Sequence, residues 1–144
     1  MPGGRLDDIT AACEEATANT NNDTLFLLHA GTNDVLHTRS EELMEKYKRM
    51  LLAFKNKTNT KNIIISDILP RIRAEDAFYD KAFSTNNRLK TLCSQEGVDF
   101  INMWDDFYDK AYLFQGDGLH LSDIGSARFR RLLSNQVLLF RQKK

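Results

Sequence analysis

Two short blocks of this chain bring together residue types with chemical potential. Asp117-Gly118-Leu119-His120 sets a carboxylate three residues ahead of an imidazole, in a loop loosened by glycine. A carboxylate held against one ring nitrogen fixes the tautomer and stabilises the imidazolium, which leaves the other nitrogen to act as a general base. Far upstream, His29-Ala30-Gly31-Thr32-Asn33-Asp34 closes an apolar run with a turn from which Asn33 projects an amide. An amide donor fixed at such a turn suits developing negative charge, the requirement of an oxyanion hole. Each block also has a plainer reading. Gly, Asn and Asp fill turns for conformational reasons, and Asp-x-x-His suits a helix-entry loop with a capping role.

The elements that must position these residues follow from hydrophobic periodicity. Apolar runs at Thr24 to Ala30, Asn62 to Asp67 and Val98 to Met103 read as strands, the first two almost continuous, as strands covered on both faces are. Helical spacing covers Leu6 to Ala18, Ser40 to Phe54, Ala77 to Glu96 and Ile124 to Phe140. Gly97 ends the third helix and Ser122 is an N-cap for the last. Strands alternating with long helices imply right-handed βαβ units, hence an α/β fold with a parallel sheet and helices on both faces. Ligands in such sheets bind beyond the carboxyl ends of the strands, where the Asn33 turn lies.

Composition bounds the remaining possibilities. A chain of 144 residues, 42% apolar, suits one compact domain over residues 1–144 and excludes wholesale disorder. Twenty basic side chains balance twenty acidic ones, which argues against a direct nucleic-acid partner or attraction to a membrane surface. No apolar run approaches the ~20 residues of a membrane span. Met1 to Arg5 precedes no apolar stretch of the kind a signal peptide requires. Cys13 and Cys93 fall in helical segments and read as free thiols in a reducing compartment, so a cytoplasmic location is expected.

Taken together, the two blocks resemble those of the SGNH (GDSL-type) hydrolases. Gly31-Thr32-Asn33-Asp34 matches that family's Gly-x-Asn-Asp block, and Asp117-Gly118-Leu119-His120-Leu121-Ser122, with Gly125, its terminal Asp-x-x-His block. Pro2-Gly3-Gly4-Arg5-Leu6 is similar to the block whose glycine gives a backbone N–H to the oxyanion hole, with Gly3 aligned to it and Gly4 as the alternate. The resemblance spans essentially the whole chain and implies a flavodoxin-like α/β/α sandwich. It further implies hydrolysis of small carboxyl or acetyl esters, with His120 as base, Asp117 orienting it, and Asn33 and Gly3 holding the oxyanion. No cofactor is implied. The overall texture is most similar to the esterase-like domains in the first open reading frame of some vertebrate retrotransposons.

The family's nucleophile comes from a Gly-Asp-Ser block on a strand ahead of the glycine block, and only Met1 precedes Pro2 here. The resemblance therefore implies that the first strands are lacking from this chain, and that as given it is a poor or inactive esterase. Ser66, at a strand end, is a weak substitute because such serines usually satisfy backbone groups. Ser122 suits a helix cap, and Cys13 and Cys93 suit the core. Lack of the central strand leaves Leu25 to Ala30 as an apolar edge without lysine or proline, so self-association is expected. The competing reading is a non-catalytic interaction module that keeps the sandwich, within a retrotransposon-encoded assembly.

Other features weigh less. His29, His37 and Asp34 surround the first turn but lack a convergent ligand set, so no metal site is expected. Arg128, Arg130, Arg131, Arg141, Lys143 and Lys144 make a basic tail that suits a solvated helix C-terminus. The aromatic group Phe100, Trp104, Phe107, Tyr108, Tyr112 and Phe114 reads as core packed under a long loop, with lining of an acyl pocket as the alternative.

Overall fold

The structure, a computed structural model, describes residues 5–142. Helices α1 (Leu6–Ala11) and α2 (Cys13–Thr17) precede strand β1 (Phe26–Leu28), followed by α3 (Ser40–Lys55), β2 (Ile63–Ser66), α4 (Asp76–Glu96), β3 (Asp99–Ile101), the short α5 (Trp104–Phe107) and α6 (Asp123–Gln142). The strands form a parallel sheet in the order β1-β2-β3, with Leu27 opposite Ile64 and Ile65 opposite Phe100.

β2 is central, and all four of its residues are buried. Because strand side chains alternate, Ile63 and Ile65 join one core while Ile64 joins another. The first core packs them against Leu6 of α1, the Leu43, Tyr47 and Met50 stripe of α3, and Phe78 and Leu89 of α4. The second packs Ile64 and Ile101 against Phe107, Leu113 and Phe114, with α6 laid over them through Phe129, Leu132, Leu133, Val137 and Phe140. Helices therefore cover both faces, and the architecture is the expected α/β/α sandwich.

Departures from the sequence reading have identifiable hydrogen-bonding causes. The single helix expected over Leu6 to Ala18 breaks at Ala12, and Thr10 and Thr17 hydroxyls bond back to the Leu6 and Cys13 carbonyls. The strands are shorter than the apolar runs. Asn62 is drawn into a 3₁₀ turn, where its side chain donates to the Asn22 carbonyl at 2.6 Å. Asp67 leaves the ladder at the other end of β2, and its carboxylate accepts from the Met103 and Trp104 N–H groups, each at 3.0 Å. The stretch expected as loop before the last helix contains α5 and a further 3₁₀ turn at Ala111–Leu113. Of the aromatic group, Trp104, Phe107 and Phe114 are buried, whereas Tyr108 and Tyr112 are exposed. No helix among the described residues is long and apolar enough to cross a membrane.

Candidate active site

Three loops meet at the carboxyl end of the sheet. The first, after β1, is the Gly31-Thr32-Asn33-Asp34 turn, closed by Asp34 and Val35 N–H groups donating to the Gly31 carbonyl. Only glycine fits its first position. Gly31 has φ of +112°, and a Cβ there would stand 2.1 Å from the Tyr47 hydroxyl. That hydroxyl itself donates to the Ala30 carbonyl at 3.0 Å, so α3 holds the strand end in place. Asp34 is buried and accepts from the Leu6 N–H at 3.0 Å, which anchors the start of α1 beside the turn. Asn33 is half-buried, and its side-chain amide has no hydrogen-bond partner among the described residues.

The second loop follows β2. Arg71 donates from Nη2 to the Thr32 carbonyl at 2.7 Å and from Nε to the Thr32 hydroxyl at 3.3 Å, tying this loop to the first. Its guanidinium lies 4.5 Å from the centre of the Phe78 ring, and partial burial lowers its pKa. The next residue, Ile72, donates its N–H to the Gly118 carbonyl at 2.8 Å and so ties the second loop to the third. Gly118 has φ of +70°, and a Cβ there would come within 2.5 Å of the Ile72 carbonyl oxygen.

The third loop holds Asp117 and His120. His120 Nδ1 donates to Asp117 Oδ2 at 2.6 Å, while Asp117 Oδ1 accepts the Leu119 and His120 N–H groups at 2.9 and 3.0 Å. The hydrogen bond from the His120 ring, helped by these two N–H donors, holds the Asp117 carboxyl down to about 2. One carboxylate thus organises the loop backbone and fixes the imidazole. His120 Nε2 has no protein partner among the described residues, and the ring is 58% exposed. Ser122 acts as the expected cap: its hydroxyl accepts from the Gly125 N–H at 3.0 Å and donates to the Tyr112 carbonyl at 2.8 Å.

A cleft between the loops is lined by Arg5, Thr32, Asn33, His37, Arg71 and Leu119, among others. Asn33 and the residue before His120 therefore share a cleft, although His120 itself is not among the lining residues. Gly3 lies outside the described residues. Arg71, which ties the loop after β2 to the Asn33 loop, had no motif to mark it in the sequence.

The remaining nucleophile candidates are occupied or buried. Ser66 is fully buried and bonded to His29 Nδ1, its neighbour one step beyond the β1–β2 register. Cys13 and Cys93 are free and buried, and burial pushes the Cys93 thiol up to about 12. No serine hydroxyl bonds to His120 among the described residues. Nor does any cluster of three or more His, Cys, Asp or Glu side chains there suit a metal ion.

Comparison with known proteins bears on this arrangement. The sequence profile of the GDSL-like lipase/acylhydrolase family matches residues 3–128, most of the chain and all three of the loops just described. The chain belongs to that family. Among solved structures, the esterase domain of the ORF1 protein from the zebrafish ZfL2-1 retrotransposon is 26% identical, with a TM-score of 0.65 over 95% of this chain and 84% of that one. A GDSL-like lipase from Bacteroides thetaiotaomicron shares the fold at a TM-score of 0.77 and 20% identity, covering 99% of this chain and 73% of its own. A carbohydrate esterase family 3 protein from Talaromyces cellulolyticus does so at 0.75 and 16%, covering 97% and 70%. No curated protein matches the sequence significantly. This GDSL-like chain thus has the fold and family of ester hydrolases.

Proposed function

We propose that this domain, residues 1–144, provides the base and oxyanion half of a serine ester hydrolase site, and that the nucleophile comes from chain outside these residues. The observation that carries the reading is the Asp117–His120 pair, with Nε2 left free, on a loop that shares a cleft with the unpartnered Asn33 amide. In the reaction, His120 Nε2 takes the proton of a serine hydroxyl as its oxygen attacks the ester carbonyl. Asp117 keeps Nδ1 protonated and stabilises the imidazolium. Asn33, with the N–H of Gly3, holds the oxyanion. His120 then returns the proton to the leaving alcohol, and water releases the acid from the acyl-serine by the same steps. Small esters such as acetyl esters are the proposed substrates, and the reaction requires no cofactor.

Among the described residues no strand pairs with β1 on the side away from β2, which supports placing the nucleophile strand there. A groove beside β1 is lined by Ile9, Ala12, Ala16, Phe26, Leu28 and Phe54, among others, so an added apolar strand would complete both the sheet and the site. The same edge favours a second reading, a non-catalytic module that associates through Leu25 to Ala30. Similarity to a retrotransposon ORF1 esterase domain supports a retrotransposon-encoded protein in either case.

Hydrolysis of a short-chain acetyl ester tests the reading. The chain by itself should turn over no faster than its His120→Ala variant and should not react with a fluorophosphonate probe. A parent protein carrying an in-frame Gly-Asp-Ser strand should be labelled at that serine and lose turnover with His120→Ala. Turnover by the chain alone that His120→Ala abolishes would overturn the assignment of the nucleophile. A parent gene without such a strand would favour the non-catalytic module.

A further inference from the structure

A second concave surface plays no part in this chemistry. Tyr79 and Phe83 of α4 meet Trp104 and Tyr108 of the α5 segment around a cleft of ≈ 470 Å³. Trp104 and Tyr108 are nearly parallel, with ring centres 6.0 Å apart and 21° between planes. Tyr79 and Phe83 stand edge-on to Trp104, at 90° and 71°. Tyr79 is fixed from behind: its hydroxyl donates to the Arg71 carbonyl at 2.6 Å and accepts from the Ala74 N–H at 3.3 Å. The rings thus form a pre-set corner, yet Phe83 is 56% and Tyr108 49% exposed. Aromatic surface gathered and left in water marks a binding surface more often than scattered apolar residues do.

The charge of the cleft narrows the ligand. Asp80 is the only charged residue lining it among the described residues. Arg71, though bonded to Tyr79 through its carbonyl, turns its guanidinium onto Phe78 and lines the Asn33 cleft instead. Ring faces carry negative potential, so rings and carboxylate attract the same sign of charge. A primary ammonium would lose strong hydration on entering. A quaternary ammonium is weakly hydrated, and its methyl groups fill apolar ring surface while its charge faces the rings and Asp80. We propose that this cleft binds a quaternary ammonium group of the choline type.

The sole tryptophan of the chain is Trp104, so its fluorescence reports on this cleft. Choline and tetramethylammonium, titrated at constant ionic strength, should change it saturably. The neutral isostere 3,3-dimethylbutan-1-ol should bind at least about tenfold more weakly, because it keeps the shape and loses the charge. Tyr108→Leu, at an exposed position, should weaken choline about threefold while retaining the fold, and Asp80→Asn should weaken it by a similar factor. Phosphatidylcholine vesicles distinguish the source. Cosedimentation that free choline competes away assigns a lipid headgroup, and saturable binding of free choline without cosedimentation assigns a soluble ligand. Binding of the isostere as tight as that of choline, preference for a neutral monosaccharide, or no saturable change would overturn the proposal. None of these readouts depends on the nucleophile, so the result is independent of the esterase reading.

Discussion

The two faces of the sheet are covered unequally. On the α1, α3 and α4 side, Leu43, Met50, Phe78 and Leu89 are entirely removed from water. On the α6 side, Phe129, Leu132, Leu133 and Val137 are only half-buried, Leu138 and Leu139 are exposed, and Gly125 is the helix's one buried residue. Both α3 and α6 carry an apolar stripe, so helix periodicity does not explain the contrast. The sheet beneath them does. α6 rests on Leu27, Ile64 and Ile101, and β1 has β2 on one side but no strand on its other side among the described residues, so the α6 stripe is wider than the surface under it. The unequal covering thus points to the same place as the nucleophile strand proposed above, the side of β1 away from β2.

The comparison is broken most severely where the dense side meets the site. Gly31→Ala should destabilise by about 3–5 kcal/mol, because it combines a positive φ with a Cβ driven into the Tyr47 hydroxyl. Thermal denaturation reads this, and Tyr47→Phe in the same chain should recover part of the loss. Truncations on the two sides should differ in the same sense. Leu51→Ala, in the dense core, should cost about 2–5 kcal/mol, against less than about 1.5 kcal/mol for the half-buried Leu133→Ala. Equal costs in urea denaturation would remove the asymmetry from the account.

pH sharpens the contrast between the buried and the open carboxylate. Burial pushes Asp67 up to about 7, against the pull of the Met103 and Trp104 N–H groups. The folded protein then holds that proton more tightly than the unfolded chain. The corresponding stability is present below about pH 4 and is lost as pH rises through about 7. Asp67→Asn should flatten this slope. Asp117 works the other way: its contribution, present above about pH 4, is lost as pH falls through about 2. The smallest effect concerns the edge itself. Sedimentation velocity at rising concentration should show self-association, and a monodisperse monomer throughout would remove β1 as a pairing surface.

The Asp117–His120 pair was legible in the sequence because it is local: only two residues separate Asp117 from His120, and glycines leave the loop free to fold back. The strand cores were legible from their apolar runs, although their ends were not. Asn62 and Asp67 leave the ladder for partners 40 and 36 residues away, Asn22 and Met103, which no periodicity records. Arg71 escaped notice for the same reason, since its partner Thr32 is 39 residues away. The Asn86 side chain, bonded to both the N–H and the carbonyl of Ile68, is a fourth such contact, inside a helix that the pattern placed correctly.

The central claim is that the Asn33 amide and the His120 ring face one reaction space. Following the Asn33 side-chain amide by NMR in the unaltered chain and in His120→Gln tests it most directly, because an amide resonance responds to the ring of a neighbouring imidazole. The account predicts that the Asn33 side-chain resonance moves with His120→Gln while that of Asn87, on α4, stays in place. An Asn33 resonance that ignores His120 would contradict it.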